Sequence, residues 1–245
     1  MPRRRWLRWL SAVFTLGLVT GTGQATEEIE LPVGDAVLAA RLTASVSEER
    51  AGVVMLLPDG LDPRATALAD AIAAGLARHG WEVVDIRARI LDHAAAFNAP
   101  GTLATETGNL VEAVRARTRD RRRPSDIYMV GHGWGAILAG LYLDGRAEPP
   151  VAGLAVLNAA PPPGLPHLAF NRLLPGIAVP VFDIWSGRSH GRVTANASAR
   201  RTAAGSGRGD GFRQLEVAGA NHFFTDRVDG VVKRLRGWLK QQSED

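Results

Sequence analysis

Ile127-Tyr128-Met129-Val130-Gly131-His132-Gly133-Trp134-Gly135-Ala136 is the stretch on which the fold turns. Its first four residues are apolar and strand-prone, as in a strand covered on both faces. Ile137–Leu143 then reads as a helix that stops at Asp144-Gly145. Only a tight turn fits between the two elements. Gly131 and Gly135 let helix and strand pass closely, and Gly133 stands at the apex, where positive φ costs glycine little.

Working outward, short apolar strands alternate with helical patterns, the signature of a largely parallel sheet. Val53–Leu57, Trp81–Ile86, Val151–Leu157, Val179–Ile184 and Phe212–Val217 read as strands. Glu28–Leu31 and Val37–Thr43, separated by the Pro32-Val33-Gly34-Asp35 turn signal, read as an edge hairpin. A helix opens with Asp62 as cap and Pro63 in its first turn, carries Leu68, Ile72 and Leu76, and stops at Gly80. Leu110 and Val114 mark a second, running into Arg115, Arg117, Arg119, Arg121, Arg122 and Arg123, where cations suit the helix dipole and a solvated end. Residues 187–211, rich in Gly, Ser, Ala and Arg, read as a loop containing a short helix. Val228, Val231, Val232, Leu235 and Leu239 stripe the last helix. The expected fold is a doubly wound, mostly parallel α/β sheet with flanking helices. No repeat or linker divides residues 26–245, which read as one domain.

The strand–turn–helix at Gly131–Gly135 has the context of a G-x-S-x-G nucleophile elbow. On it, and on the element order over roughly residues 50–240, the chain resembles the α/β-hydrolases. It is similar in particular to a bacterial α/β-hydrolase-like family of unknown function whose members enter the cell envelope. The resemblance implies a serine at the apex, a histidine between the last strand and last helix, and an acid after the preceding strand. Gly133 stands at the serine position, so the nucleophile position is degenerate. His222, in Gly219-Ala220-Asn221-His222-Phe223-Phe224, matches the histidine. Near the acid position stand Ser189 and His190, whereas Asp183 falls inside the strand, too early to orient His222. The oxyanion loop would be Pro58-Asp59-Gly60, with the backbone N–H of Trp134 as second donor.

Other readings of these residues are weaker. His132 beside the elbow reads as a packing residue. Ser186, Ser189 and Ser206 are candidate substitute nucleophiles, but none sits on an elbow. Trp134 and Trp185 flank the expected pocket and read as core. The elbow also imitates a dinucleotide fingerprint, yet the next strand ends Val156-Leu157-Asn158 without the carboxylate such a site needs. Arg208-Gly209-Asp210 and Asn196-Ala197-Ser198 are short patterns that a Gly/Ser-rich loop produces readily.

Composition narrows the function classes. With no Cys, disulfides, thiol catalysis and thiolate metal ligation are excluded, and six scattered histidines form no metal motif, so neither metal nor cofactor is expected. The formal charge of +4 belongs to Arg3, Arg4, Arg5 and Arg8, and without them basic and acidic residues balance, which gives nucleic-acid binding no support. Those arginines precede an apolar run, Trp9–Val19, and a small-residue ending at Ala25. Residues 1–25 therefore read as a secretory signal peptide, with an uncleaved anchor as the second reading. Arg3–Arg8 faintly resembles a twin-arginine signal. The expected location is periplasmic or extracellular, with no stable membrane span after cleavage. Two functional expectations stay open: a non-catalytic protein with a binding or envelope-assembly role, holding a small or lipid-like ligand, and a hydrolase of ester or amide bonds using His222. A third, a structural partner, would use the face around residues 160–176.

Overall fold

The computed structural model describes residues 25–34, 36–48, 50–60, 62–87, 100–118, 127–161, 164–205 and 211–244. The expected signal segment, Arg119–Arg123, Ser206 and Arg208–Asp210 lie outside the described residues, apart from Ala25 at the start.

Eight strands form one sheet in the order β1-β2-β4-β3-β5-β6-β7-β8. They are β1 (Thr26–Val33), β2 (Ala36–Thr43), β3 (Gly52–Leu57), β4 (Trp81–Ile86), β5 (Ile127–His132), β6 (Gly153–Leu157), β7 (Val181–Ser186) and β8 (Phe212–Val217). β1 and β2 pair as an antiparallel hairpin, Thr26 opposite Thr43, and β2 joins β4 antiparallel. From β4 to β8 every pairing is parallel. The six residues of β3 and of β5 are all buried, as continuous apolar runs require when helices cover both faces of a sheet.

Among the described residues the α-helices are α1 (Pro63–Ala77), α2 (Pro100–Thr118), α3 (Trp134–Leu143), the single turn α4 (Phe170–Leu173), α5 (Gly191–Gly205) and α6 (Val228–Glu244). On one face of the sheet, Leu68, Ile72 and Leu76 of α1 join Val231, Leu235, Trp238 and Leu239 of α6 over Val54, Val83 and Val130. On the other, Leu110 and Val114 of α2 and Ile137 and Leu143 of α3 pack over Met55, Val84 and Met129. Asp62 caps α1, its Oδ1 accepting the Arg64 N–H at 2.8 Å.

Three expectations need correction. α1 ends at Ala77, and Gly80 instead takes a positive φ of 92° in the turn that leads into β4. The segment around residues 160–176, expected as an interaction face, packs inward in part: Leu165, Leu168, Phe170, Leu173 and Leu174 belong to the core, while Pro166, His167, Arg172 and Pro175 stay exposed. Residues 191–205 form a full helix of 15 residues rather than a loop with a short one. Its buried residues, Val193, Ala197, Arg200 and Ala204, fall on one face at helical spacing. The apolar signal was missed because Arg200 stands in that stripe. It is fully buried, and its Nε donates to Asp183 Oδ2 on β7 at 2.7 Å. Gln214 Nε2 donates to the same oxygen at 2.7 Å. A charged side chain thus serves as a core residue, which polarity-based reading scores as surface.

Candidate functional site

The turn between β5 and α3 holds Gly133 at φ 54°, ψ −112°, a conformation that a residue with a Cβ adopts only under strain. A Cβ on Gly135 would collide with the Leu57 carbonyl oxygen, and one on Gly131 with the backbone of Ala136. Both flanking glycines are therefore demanded by close approach of helix and strands.

A Cβ on Gly133 would run into the carboxylate of Asp59. Asp59, two residues past the end of β3, reaches across the apex and fills the space in front of it. Its Oδ1 accepts the backbone N–H of Trp134 at 2.8 Å, and its Oδ2 lies 3.1 Å from Nε2 of His222. Burial works against its charge, but the hydrogen bonds from His222 and Trp134 and the nearby His132 hold the carboxyl below its ordinary value. The Trp134 N–H, expected as an open oxyanion donor, is thus already taken. Gly60, the other expected member of that loop, turns its N–H back onto the Pro58 carbonyl at 3.0 Å.

His222 sits in the loop between β8 and α6, with Ser189 Oγ 2.9 Å from its Nδ1. Asp183 is turned away, committed to Arg200 and Gln214. The Asp59 carboxylate can only accept, so Nε2 of His222 carries the proton donated to it, and Nδ1 accepts from the Ser189 hydroxyl. The rings of His132 and His190 lie 4.9 and 4.6 Å from that of His222. His132 is buried at 1% exposure, and desolvation pushes its pKa down to about 4, leaving a neutral ring at pH 7. Its Nε2 lies 3.1 Å from the His222 carbonyl.

Asn158 was not singled out from sequence except as the carboxylate that is lacking after β6. Fully buried, with φ 50°, it ties the end of β6 to the end of β7 and to the loop that carries His222. Its Nδ2 donates to the His222 carbonyl at 2.6 Å, and its Oδ1 accepts from the Ser186 N–H and Oγ at 2.8 and 3.0 Å. The available signal was its residue type, since Asn tolerates left-handed backbone better than most residues. Asn158→Ala is expected to destabilise the fold by about 2–3 kcal/mol, leaving the buried Ser186 N–H and hydroxyl without their acceptor. A change below about 0.5 kcal/mol in urea unfolding would contradict this role.

The structure thus brings Asp59, Gly133, Trp134, His132, Ser189 and His222 to one place. Trp185 is half-buried on β7, and Ser186 is spent on Asn158. A groove of about 1030 Å³ runs beside the site between α1 and the start of α6, lined in part by Arg64, Phe223 and Arg227. Asp59, His132 and His222 do not line it. Among the described residues no helix is long and apolar enough to cross a membrane.

Residues 106–241, more than half of the chain and including the elbow, His222 and Ser189, match the profile of the family described as "Protein of unknown function (DUF3530)". The chain belongs to the DUF3530 family. Its architecture is that of the α/β-hydrolases. Est1E from Butyrivibrio proteoclasticus superposes with a TM-score of 0.69 at 12% identity, over 89% of the DUF3530 chain and 99% of Est1E. Dienelactone hydrolase from Anabaena variabilis gives 0.64 at 16%, over 89% and 98%. An α/β serine hydrolase homologue from Coxiella burnetii gives 0.63 at 14%, over 88% and 96%. At such identities the likeness speaks for the fold of the DUF3530 chain alone. No curated protein matches it in sequence.

Proposed function

We propose that this chain is an exported α/β-hydrolase-like protein that has given up serine chemistry and keeps the fold for a binding or envelope-assembly role. One observation carries the reading: the Asp59 carboxylate lies where the side chain of an elbow nucleophile would stand. Gly133 itself has no atom with which to attack a carbonyl. Asp59 also occupies the Trp134 N–H that would steady an oxyanion and faces the Nε2 that would accept a nucleophile's proton. Export rests on the Arg3–Arg8 and Trp9–Val19 pattern before Ala25. A small or lipid-like ligand is the kind of partner that this fold's pocket region suits.

The test is hydrolysis of short- and medium-chain aryl esters by the purified protein beside His222→Ala. The expected result is no turnover above the variant's background. Turnover by the native chain that His222→Ala abolishes would overturn the reading in favour of a hydrolase with an unconventional nucleophile or an activated water.

A further inference from the structure

We propose that Asp59, His132 and His222 form a binding site for a divalent transition-metal ion of the zinc type. The three come from separate elements: the loop after β3, the end of β5 and the loop before α6. A carboxylate oxygen of Asp59 and one ring nitrogen from each histidine all lie within 4.8 Å of one another. Neighbouring ligands of a tetrahedral zinc, at bond lengths near 2.0–2.1 Å, stand ~3.3 Å apart. Oδ2 of Asp59 and Nε2 of His222, at 3.1 Å, are already at that spacing. The remaining pairs, within 4.8 Å, would draw in as the ion binds.

The histidines themselves point to a cation as the ligand. A carbonyl can only accept, so His132 Nε2 carries the proton donated to the His222 carbonyl. Nδ1 of His132 is then left with its lone pair, buried, and without a hydrogen-bond partner among the described residues. Buried polar atoms without a partner are rare, and a bound ion is one of the recognised reasons for them. His222 is equally prepared. A cation bound between Nε2 and Asp59 would displace the proton that they share, and the imidazole would then carry its proton on Nδ1, where Ser189 Oγ can accept it. Ser189 then acts as the outer partner that fixes the tautomer of a metal-binding imidazole, and the Trp134 N–H does the same for the carboxylate. Two imidazoles and a carboxylate form a zinc-type donor set that leaves a fourth position for water or an anionic ligand.

This inference rests on the reading of Asp59 as the resident of the space before Gly133. The experiment is titration of the chelator-treated, purified full chain with Co²⁺, followed by visible absorbance, and with Zn²⁺, followed by calorimetry. One equivalent is expected, with the absorbance of a four-coordinate site, and weakening of about tenfold or more in each of Asp59→Asn, His132→Gln and His222→Gln. His190→Ala, which removes the ring stacked on His222 from outside the cluster, is expected to keep native affinity. Circular dichroism of each apo variant separates lost ligation from lost folding, and Asp59→Asn, on a partly exposed side chain, is the variant most secure in that respect. Failure of the native chain to bind either ion, or equal binding by all the folded variants, would overturn the site. Absent ester turnover would still leave the proposed function standing in that case. Turnover by metal-free protein, lost in His222→Ala, would instead overturn the proposed function.

Discussion

Arg200→Met is expected to lower the stability of the fold by about 3–5 kcal/mol, the usual cost of leaving a buried charge without its partner. Arg200 and Asp183 are both fully inaccessible to solvent, joined at 2.7 Å, and Arg200 Nη1 donates further to the carbonyls of Ala159 and Val193 at 3.4 and 3.3 Å. With Arg200 gone, the Asp183 carboxylate would keep, among the described residues, only the Gln214 amide. At about 2–4 °C per kcal/mol for a chain of this size, the melting temperature should fall by about 6–20 °C. The companion Asp183→Leu/Arg200→Met is expected to recover most of that loss, because replacing a whole buried pair by apolar groups is often neutral. If the double variant is as unstable as the single one, α5 is held by the shape of the arginine stem rather than by its charge.

Gly133→Ser should cost about 3–5 kcal/mol. Part is backbone strain, of order 1–3 kcal/mol for a non-glycine residue at φ 54°. The rest comes from displacing the Asp59 carboxylate, which lies where the new side chain must go and is held by Trp134 and His222. The double variant Asp59→Gly/Gly133→Ser is therefore expected to be more stable than the sum of the two single effects predicts, by about 1–2 kcal/mol, as residues that share a space are coupled. Strict additivity in denaturant unfolding would show that Asp59 leaves the apex at no cost. Gly133→Ser alone is also expected to show no gain in ester turnover, since Ser189 rather than a carboxylate stands at His222 Nδ1.

The parts of the fold legible in the sequence are those whose signals are local. Val53–Leu57 and Ile127–Val130 are continuous apolar runs, and such runs become central strands wherever helices are available for both faces. Gly131, Gly133 and Gly135 announce the elbow because each is needed by backbone geometry there, independent of distant residues. His222 and Ser189 could be placed by their order along the chain, since loops at the carboxyl ends of parallel strands gather at one edge of the sheet. α5 was not legible. Its stripe contains an arginine whose neutralising partner sits 17 residues away on β7, and no local pattern records that pairing.

The sequence by itself determined a parallel α/β sheet with a glycine elbow and a histidine loop facing it, because strand burial, tight turns and helix periodicity are written in neighbouring residues. Only the tertiary structure decided what fills the elbow. Asp59 and His222 are 163 positions apart, and whether a loop carboxylate points to solvent or across the apex depends on how three loops converge. A side chain's direction there is set by long-range packing and by the N–H and imidazole it finds, neither of which its own neighbours in the chain specify.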